Sequence, residues 1–382
     1  MNKVTKAILL FNQQDVNMLD SKVNSQLLLQ DAASNNNIVY KVSKIKNSKR
    51  KRIDLFYKRK NIGNIRGLNI STTHKSALKL CRNKYKLENY LSQFDINVLK
   101  SELFKEDEKD KAFDYIRTLD GANIVIKPIS LFGGKGIETN VSIENFSSSW
   151  DRSLVAQRDN NIITPEFIIQ KHIDGFDIRV SVIEGIYSAA EIRLPPHVVG
   201  DGESSIRRLI EEKNIIRSKI HYFKSKLIPV NKVVLEKLEK NNKSLDYVLK
   251  KNEVYILNEM SNMVLGAESI DITDELSDEI IQESIKAVAA IPGLHSASID
   301  FMCEDYSKGP GHIIEVNTNG NHTQHHVPYK GTVRQPFDIL IKSLVIKHKL
   351  RTGLSLTVQE RELSKHIYTF LEMKSYYSSR TI

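Results

Sequence analysis

Apolar positions along the chain follow two rhythms, and the switches between them mark out the elements. Residues 6–11 form a short apolar run that predicts a first strand. Leucines at helical spacing predict a helix over 21–33, and β-rich runs at 38–42, 53–57 and 62–70 predict strands, together a small α/β unit. Ala77, Leu80, Leu87 and Leu91 predict a helix over 72–94 with Lys84 inside it, followed by a second helix over 112–119. The run 123–126 then leads into Lys127-Pro128, where a strand must end because proline cannot donate to a ladder. Gly133, Gly134, Lys135 and Gly136 follow, and apolar and β-branched residues resume at Ile137, which reads as strand, glycine turn, strand.

Beyond the turn, a helix begins within 141–150, and strands are predicted over 166–173, 178–183 and 186–192. Residues 195–202, PPHVVGDG, read as a turn-rich loop, and Ile206, Leu209 and Ile210 place a helix over 205–214. Residues 217–253 are rich in lysine and asparagine and irregular, with a short helix over 233–239. A strand over 254–257, an amphipathic helix over 274–291, an antiparallel strand pair over 296–303 and 312–316, a helix over 339–348 and a helical tail complete the chain.

The 382 residues suffice for two or three domains, and 40% hydrophobic with 27% charged residues is ordinary for a globular protein. Cys81 and Cys303 are too few for a disulfide framework and fit a reducing cytoplasm. The apolar run near the N-terminus is too short for a signal-peptide core or a membrane span, so a cytoplasmic location and no membrane partner are expected. The net charge of +10 admits nucleic acid, an anionic membrane surface or an anionic small substrate. Its densest cluster, KIKNSKRKR over 44–52, carries no interleaved aromatics and reads as a solvated hairpin loop, so no nucleic-acid partner is expected.

Three constellations carry chemistry. The glycine turn exposes backbone N–H groups to a polyphosphate, with Lys127 and Lys135 at its ends; a plain hairpin with solvated lysines explains that stretch equally well. It is neither a Walker A loop nor a dinucleotide fingerprint, since a strand and not a helix follows. On the late strand pair, period two puts Glu315 and Asn317 on one face, within reach of Asp300. Two carboxylates and an amide oxygen form a hard-oxygen site suited to magnesium, although ordinary edge acids would look similar. His312, His322, His325 and His326 crowd a short span, but their spacing fits no standard zinc site and favours substrate contact or packing.

Lys84, Lys127-Pro128 with its glycine turn, the Asp300 strand and Glu315-x-Asn317 together resemble the ATP-grasp ligases, in particular the modules of the cyanophycin synthetase and bifunctional glutathione synthetase group. The segments 197–214, 262–276 and 315–334 are similar to that group's motifs, and the match runs from about residue 72 to 344. The resemblance implies an α+β fold in which two α+β subdomains grip ATP behind a small α/β lobe. The lobe would span 1–75 and the ATP-grasp domain 76–350, with a lid at about 112–175 and an insertion at about 217–253. Residues 351–382 would be a helical tail.

The resemblance also implies ATP with Mg2+, or Mn2+ in its place, as cofactors. Lys84 and Lys127 would contact phosphates, and Gly133, Gly134, Lys135 and Gly136 would close over them as a mobile lid. Gln170, Lys171 and Ile173 would form the adenine hinge, Asp177 would meet the ribose, and Asp300, Glu315 and Asn317 would hold the metal. Arg179 and Arg193 would stabilise an acyl phosphate and the tetrahedral intermediate that follows it. The partners implied are a small-molecule or peptide carboxylate and an amine, in a stand-alone module compatible with homo-oligomers. A hydroxyl-phosphorylating kinase and a non-catalytic nucleotide binder are the alternatives. Three departures bear on substrate: the family's usual glutamate is Gln170, its S-T-G-G run is Val264-Leu265-Gly266-Ala267, and 320–324 replaces its Pro-Gly and arginine.

Overall fold

A computed structural model describes residues 2–19, 23–48, 50–119, 122–131 and 134–380, and its described strands form four antiparallel sheets. The first sheet is a meander of β1 (Val39–Lys44), β2 (Lys51–Tyr57), β3 (Lys60–Arg66) and β4 (Asn69–Ile70). The second contains β5 (Ser101–Lys105), β6 (Ile124–Pro128), β7 (Glu138–Val141) and β8 (Glu166–Lys171) in the order β5-β8-β6-β7. Next along the chain come β9 (Phe176–Ile183) and β10 (Ile186–Leu194), then a two-stranded ribbon of β11 (His197–Val199) and β12 (Val254–Ile256). Finally β13 (Glu268–Asp271), β14 (Ala297–Cys303) and β15 (His312–Asn317) complete a central sheet in the order β13-β10-β9-β14-β15.

Strand alternation explains how the central sheet separates core from chemistry. Ile178, Val180 and Val182 of β9 and Ala190, Ile192 and Leu194 of β10 lie in a core shared with helices Lys84–Ser92, Asp278–Ala290 and Val358–Ser378. The intervening Asp177, Arg179, Glu191 and Arg193 therefore project from the opposite face. The β5–β8 sheet has its own core, in which Trp150 of helix Phe146–Asp159 stacks on Phe167 with ring centroids 4.0 Å apart. The N-terminal meander packs on helix Ser25–Asn35 and on Phe337, Leu340, Ile341 and Leu344 of helix Pro336–Arg351. The lobe is thus closed by residues from the far end of the chain. A further small core, including Val198, Ile206, Leu209, Val234, Leu238 and Leu257, organises the insertion.

Several expectations need correction. Residues 6–11 are not a strand: helix Lys3–Asn12 occupies them, with Ala7, Ile8 and Phe11 buried at helical spacing and the Asn2 side chain accepting from the Thr5 N–H. A run too short to show its period had been assigned the wrong one. The helix expected over 72–94 is two helices, Lys75–Cys81 and Lys84–Ser92, because Asn83 caps the second by accepting from the Lys86 N–H. The loop at 195–202 contains β11, while β5 and β13 escaped prediction altogether. Segment 217–253 is irregular as expected, apart from the end of helix Ile206–Lys219 and helix Lys232–Lys240. Among the described residues no helix is long and apolar enough to cross a membrane.

Candidate active site

The register of the central sheet aligns Glu191, Arg179, Asp300 and Glu315 across four adjacent strands, β10, β9, β14 and β15. Asp271 of β13 lies opposite Glu191 and is held by Arg334, Nη2 to Oδ2 2.8 Å. A one-residue irregularity follows Asp300, since Phe301 pairs with Ile313; Ser298 still faces Asn317, so Asp300, Glu315 and Asn317 stay in phase. Arg179, Asp300, Glu315 and Asn317 floor a cleft of about 1550 Å3 between the central sheet and the β5–β8 sheet. Lys127, Gln170, Lys171, Ile173, Asp177, Arg179, Arg193, Asp300, Glu315 and Asn317 all line it, as does Gly134.

Within the floor the ion pairs are specific. Arg179 grips Asp300 with both edges of its fork, Nε to Oδ1 and Nη2 to Oδ2 each 2.8 Å, and its Nη1 donates to Gln324 Oε1 at 3.0 Å. Arg193 donates from Nε to Asp177 Oδ1 at 3.0 Å, and its Nη2 lies 3.4 Å from Asp300 Oδ2. Asn317 donates from Nδ2 to Asp300 Oδ2 at 3.2 Å. Burial works to raise the Asp300 pKa, but Arg179 and Arg193 outweigh it and hold the carboxyl below its usual range. Glu315 differs: it makes no hydrogen bond or ion pair among the described residues, and burial, opposed by Lys84, raises its pKa.

At the other wall, Lys127 donates from Nζ to Gln170 Oε1 at 2.8 Å. Burial, aided by Lys84, lowers the Lys127 pKa to about 8. Lys84 itself donates to the Leu131 carbonyl at 3.3 Å. Gln170 is oriented from behind, its Nε2 donating to Ser101 Oγ at 2.7 Å and to Glu88 Oε2 at 3.3 Å. Glu88 also accepts the Ser101 N–H at 2.5 Å. A carboxylate, Glu88 of helix Lys84–Ser92, thus stands directly against the Gln170 amide. A second one at position 170 should do harm: Gln170→Glu puts two buried carboxylates in contact and is expected to destabilise the fold by about 1–3 kcal/mol. Adding Glu88→Gln should recover most of that loss, as read by urea denaturation of the single and double variants; additivity would contradict the assignment.

Other expected residues are placed less directly. Lys135 turns away from the cleft and donates to Asn160 Oδ1 at 2.8 Å, on helix Phe146–Asp159. Gly136 has φ +68°, and a Cβ there would meet Pro128 Cγ at 2.9 Å and Ala156 Cβ at 3.1 Å, so glycine lets the turn seat on helix Phe146–Asp159. Gly133 lies outside the described residues. Asp177, expected near a ribose, has its carboxylate engaged by Arg193.

The histidines are packed. His322 Nδ1 is 2.8 Å from Ser181 Oγ, and His326 stacks on Phe337 at 5.0 Å and accepts its N–H at 3.4 Å. Burial first, reinforced by neighbouring His326 for His322, lowers their pKa values to about 3 for His322 and about 4 for His326. Glu88, Ser101, Glu191 and Gln324 were missed by sequence reasoning. Only Glu191 left a signal, since it lies two positions before Arg193 on the same strand face.

Among the described residues no group of three or more His, Cys, Asp or Glu is placed to hold a metal. A divalent cation here would rest on Asp300, Glu315, the Asn317 amide and oxygens brought by a nucleotide. That suits magnesium, which keeps waters and leans on substrate phosphates. Glu315, facing the cleft with no hydrogen bond or ion pair among the described residues, is the feature that fits such a guest.

Two α+β layers closing on a polar cleft, with a lysine strand and glycine turn on one side and acids on adjacent antiparallel strands on the other, give this chain the ATP-grasp fold. Its relatives include cyanophycin synthetase of Synechocystis sp., 33% identical over 232 residues covering 59% of this chain and 26% of that protein. The glutathione biosynthesis bifunctional protein of Streptococcus mutans is 28% identical over 236 residues, 59% of this chain and 30% of that protein. The crystal structure of a bifunctional glutathione synthetase from Pasteurella multocida superposes with a TM-score of 0.61 at 22% identity, over 84% of this chain and 43% of that one. The chain thus spans about a quarter to a third of the curated relatives' length. No family model matches it.

Proposed function

We propose that the chain is an ATP-dependent carboxylate–amine ligase that forms an amide or peptide bond through an acyl phosphate, releasing ADP and phosphate. The observation that carries this reading is the convergence of Lys127, the Arg179–Arg193 pair and the Asp300, Glu315, Asn317 set on one cleft. Magnesium, when held by Asp300, Glu315 and Asn317, supplies charge neutralisation at the transferred phosphoryl group. Lys127, buried and aimed by Gln170, gives the phosphates a cation that is poorly hydrated and hence a strong partner. Arg179 and Arg193 place planar donors where charge develops, first on the acyl phosphate and then on the tetrahedral oxygen. Closure by the β5–β8 layer excludes water from an intermediate that water would destroy. The amine nitrogen attacks the acyl carbon, and phosphate leaves with the bonding electrons.

The relatives' names point the same way, since a synthetase of cyanophycin and one of glutathione both join a carboxylate to an amine. We place the protein in the cytoplasm, in keeping with its free, buried Cys81 and Cys303. Pools of amino acids, dipeptides and sugar acids, tested for ADP release, check the reading. ADP is expected to accumulate only when an acid and an amine are both present. Release driven by a hydroxyl compound alone would instead make the protein a kinase.

A further inference from the structure

Arg179 stands between two carboxylates but uses one. Asp300, on one neighbouring strand, receives both edges of its fork. Glu191 occupies the equivalent place on the other neighbouring strand, directly opposite Arg179, yet both of its carboxylate oxygens are buried without a hydrogen bond among the described residues. Cross-strand partners have Cβ atoms roughly 5 Å apart, within easy reach of an arginine. His325, whose two ring nitrogens also lack partners, stands 4.0 Å from Glu191 Oε2. Gln324, beside it in the chain, accepts the third arm of Arg179. A side chain 1% exposed that carries an unused carboxylate calls for a second state in which it is used.

The floor of the cleft presents the complementary difficulty. A divalent cation on Asp300 would sit against the guanidinium that Arg179 forks onto the same two oxygens, one of which also accepts from Asn317, so two positive charges would crowd one carboxylate. A displaced Arg179 is itself buried, and a buried guanidinium without a counter-charge is strongly disfavoured.

We propose that Glu191 is the alternative partner of Arg179, and that Arg179 passes from Asp300 to Glu191 when a divalent cation takes the Asp300 carboxylate. Glu191 is then a positioning residue that acts through Arg179. It releases a metal ligand on one side, and it moves a cation along the sheet toward the end of the cleft bordered by Gln324 and Asn321. Asp300 is neutralised in both states, by Arg179 and then by the cation, while Glu191 gains its counter-charge when the arginine arrives. The inference rests on the reading of Asp300 as a metal ligand.

Mn2+ with a non-hydrolysable ATP analogue tests it, with bound and free metal read by electron paramagnetic resonance. Asp300→Asn is expected to weaken Mn2+ binding at least tenfold, which checks the underlying reading. Glu191→Gln should weaken it by a similar factor although it touches no metal. Its melting temperature and its affinity for the metal-free analogue should match the wild type. Glu191→Asp, which keeps the charge, should recover part of the loss. A crystal structure of the loaded wild type should show Arg179 hydrogen-bonded to Glu191 and no longer forked on Asp300. If Asp300→Asn loses the metal and Glu191→Gln does not, the hand-off is wrong and the metal site stands. If neither variant loses it, both fall. A loaded structure with Arg179 still forked on Asp300 would also overturn the proposal.

Discussion

Replacing Glu315 with alanine is expected to lower ADP formation at least about 1000-fold without lowering thermal stability. The two halves of that result have one cause. Glu315 sits among Asp300, Lys84 and the cleft, makes no hydrogen bond or ion pair among the described residues, and is held above the usual carboxylate pKa by burial. A raised folded-state pKa means that the ionised form costs stability. The cost is absent below the pKa of an unfolded glutamate and complete once the pH exceeds the folded one. Alanine removes that cost, so the variant's melting temperature should equal or exceed that of the wild type, increasingly so above that pH window. Activity is lost because the open carboxylate is the one ready to meet a cation. Calorimetry beside an ADP assay checks both halves; near-normal turnover would remove Glu315 from the mechanism.

Arg193→Lys is expected to reduce turnover about 100- to 1000-fold while changing the ATP dissociation constant less than about threefold. Lysine keeps a positive charge beside Asp177, so no buried carboxylate is orphaned. What disappears is the rigid fork that spans Asp177 and approaches Asp300 at 3.4 Å. A planar donor pair suits the oxygens of a phosphate or carboxylate in a way a single ammonium cannot. Its loss should therefore show in the transition state and not in the ground state. Pre-steady-state turnover and equilibrium nucleotide titration separate the two, and a parallel fall in both would assign Arg193 to nucleotide binding instead.

Much of this site could be read before any coordinates because period-two alternation carries side-chain direction. Glu315 and Asn317 share a face by that rule alone, and pairing of their strand with the Asp300 strand follows from adjacency in the chain. The glycine turn likewise sits between β6 and β7, which pair antiparallel. What the sequence could not show is which groups meet across the sheet order β13-β10-β9-β14-β15, since that order interleaves distant segments. The grip of Arg179 on Asp300 joins residues 121 positions apart, and Glu88 reaches Gln170 across 82. No local pattern encodes such meetings. Nor does a lysine beside a glycine turn reveal its partner: the Lys135 side chain donates to Asn160, 25 positions along the chain. The N-terminal helix was lost for a third reason, because six residues cannot distinguish a period of 3.6 from one of two.

The central claim is that the carboxylate is activated as an acyl phosphate before the amine attacks, and transfer of an oxygen label tests it most directly. The acid substrate, labelled with oxygen-18 in its carboxylate, is incubated with enzyme, ATP, magnesium and the amine, and the released phosphate is analysed by mass spectrometry. One labelled oxygen should appear in phosphate for each amide formed. With the amine omitted, label should reach phosphate slowly, as the trapped intermediate breaks down. Phosphate free of label, with the oxygen expelled on amide formation found in AMP or water instead, would contradict the acyl-phosphate route.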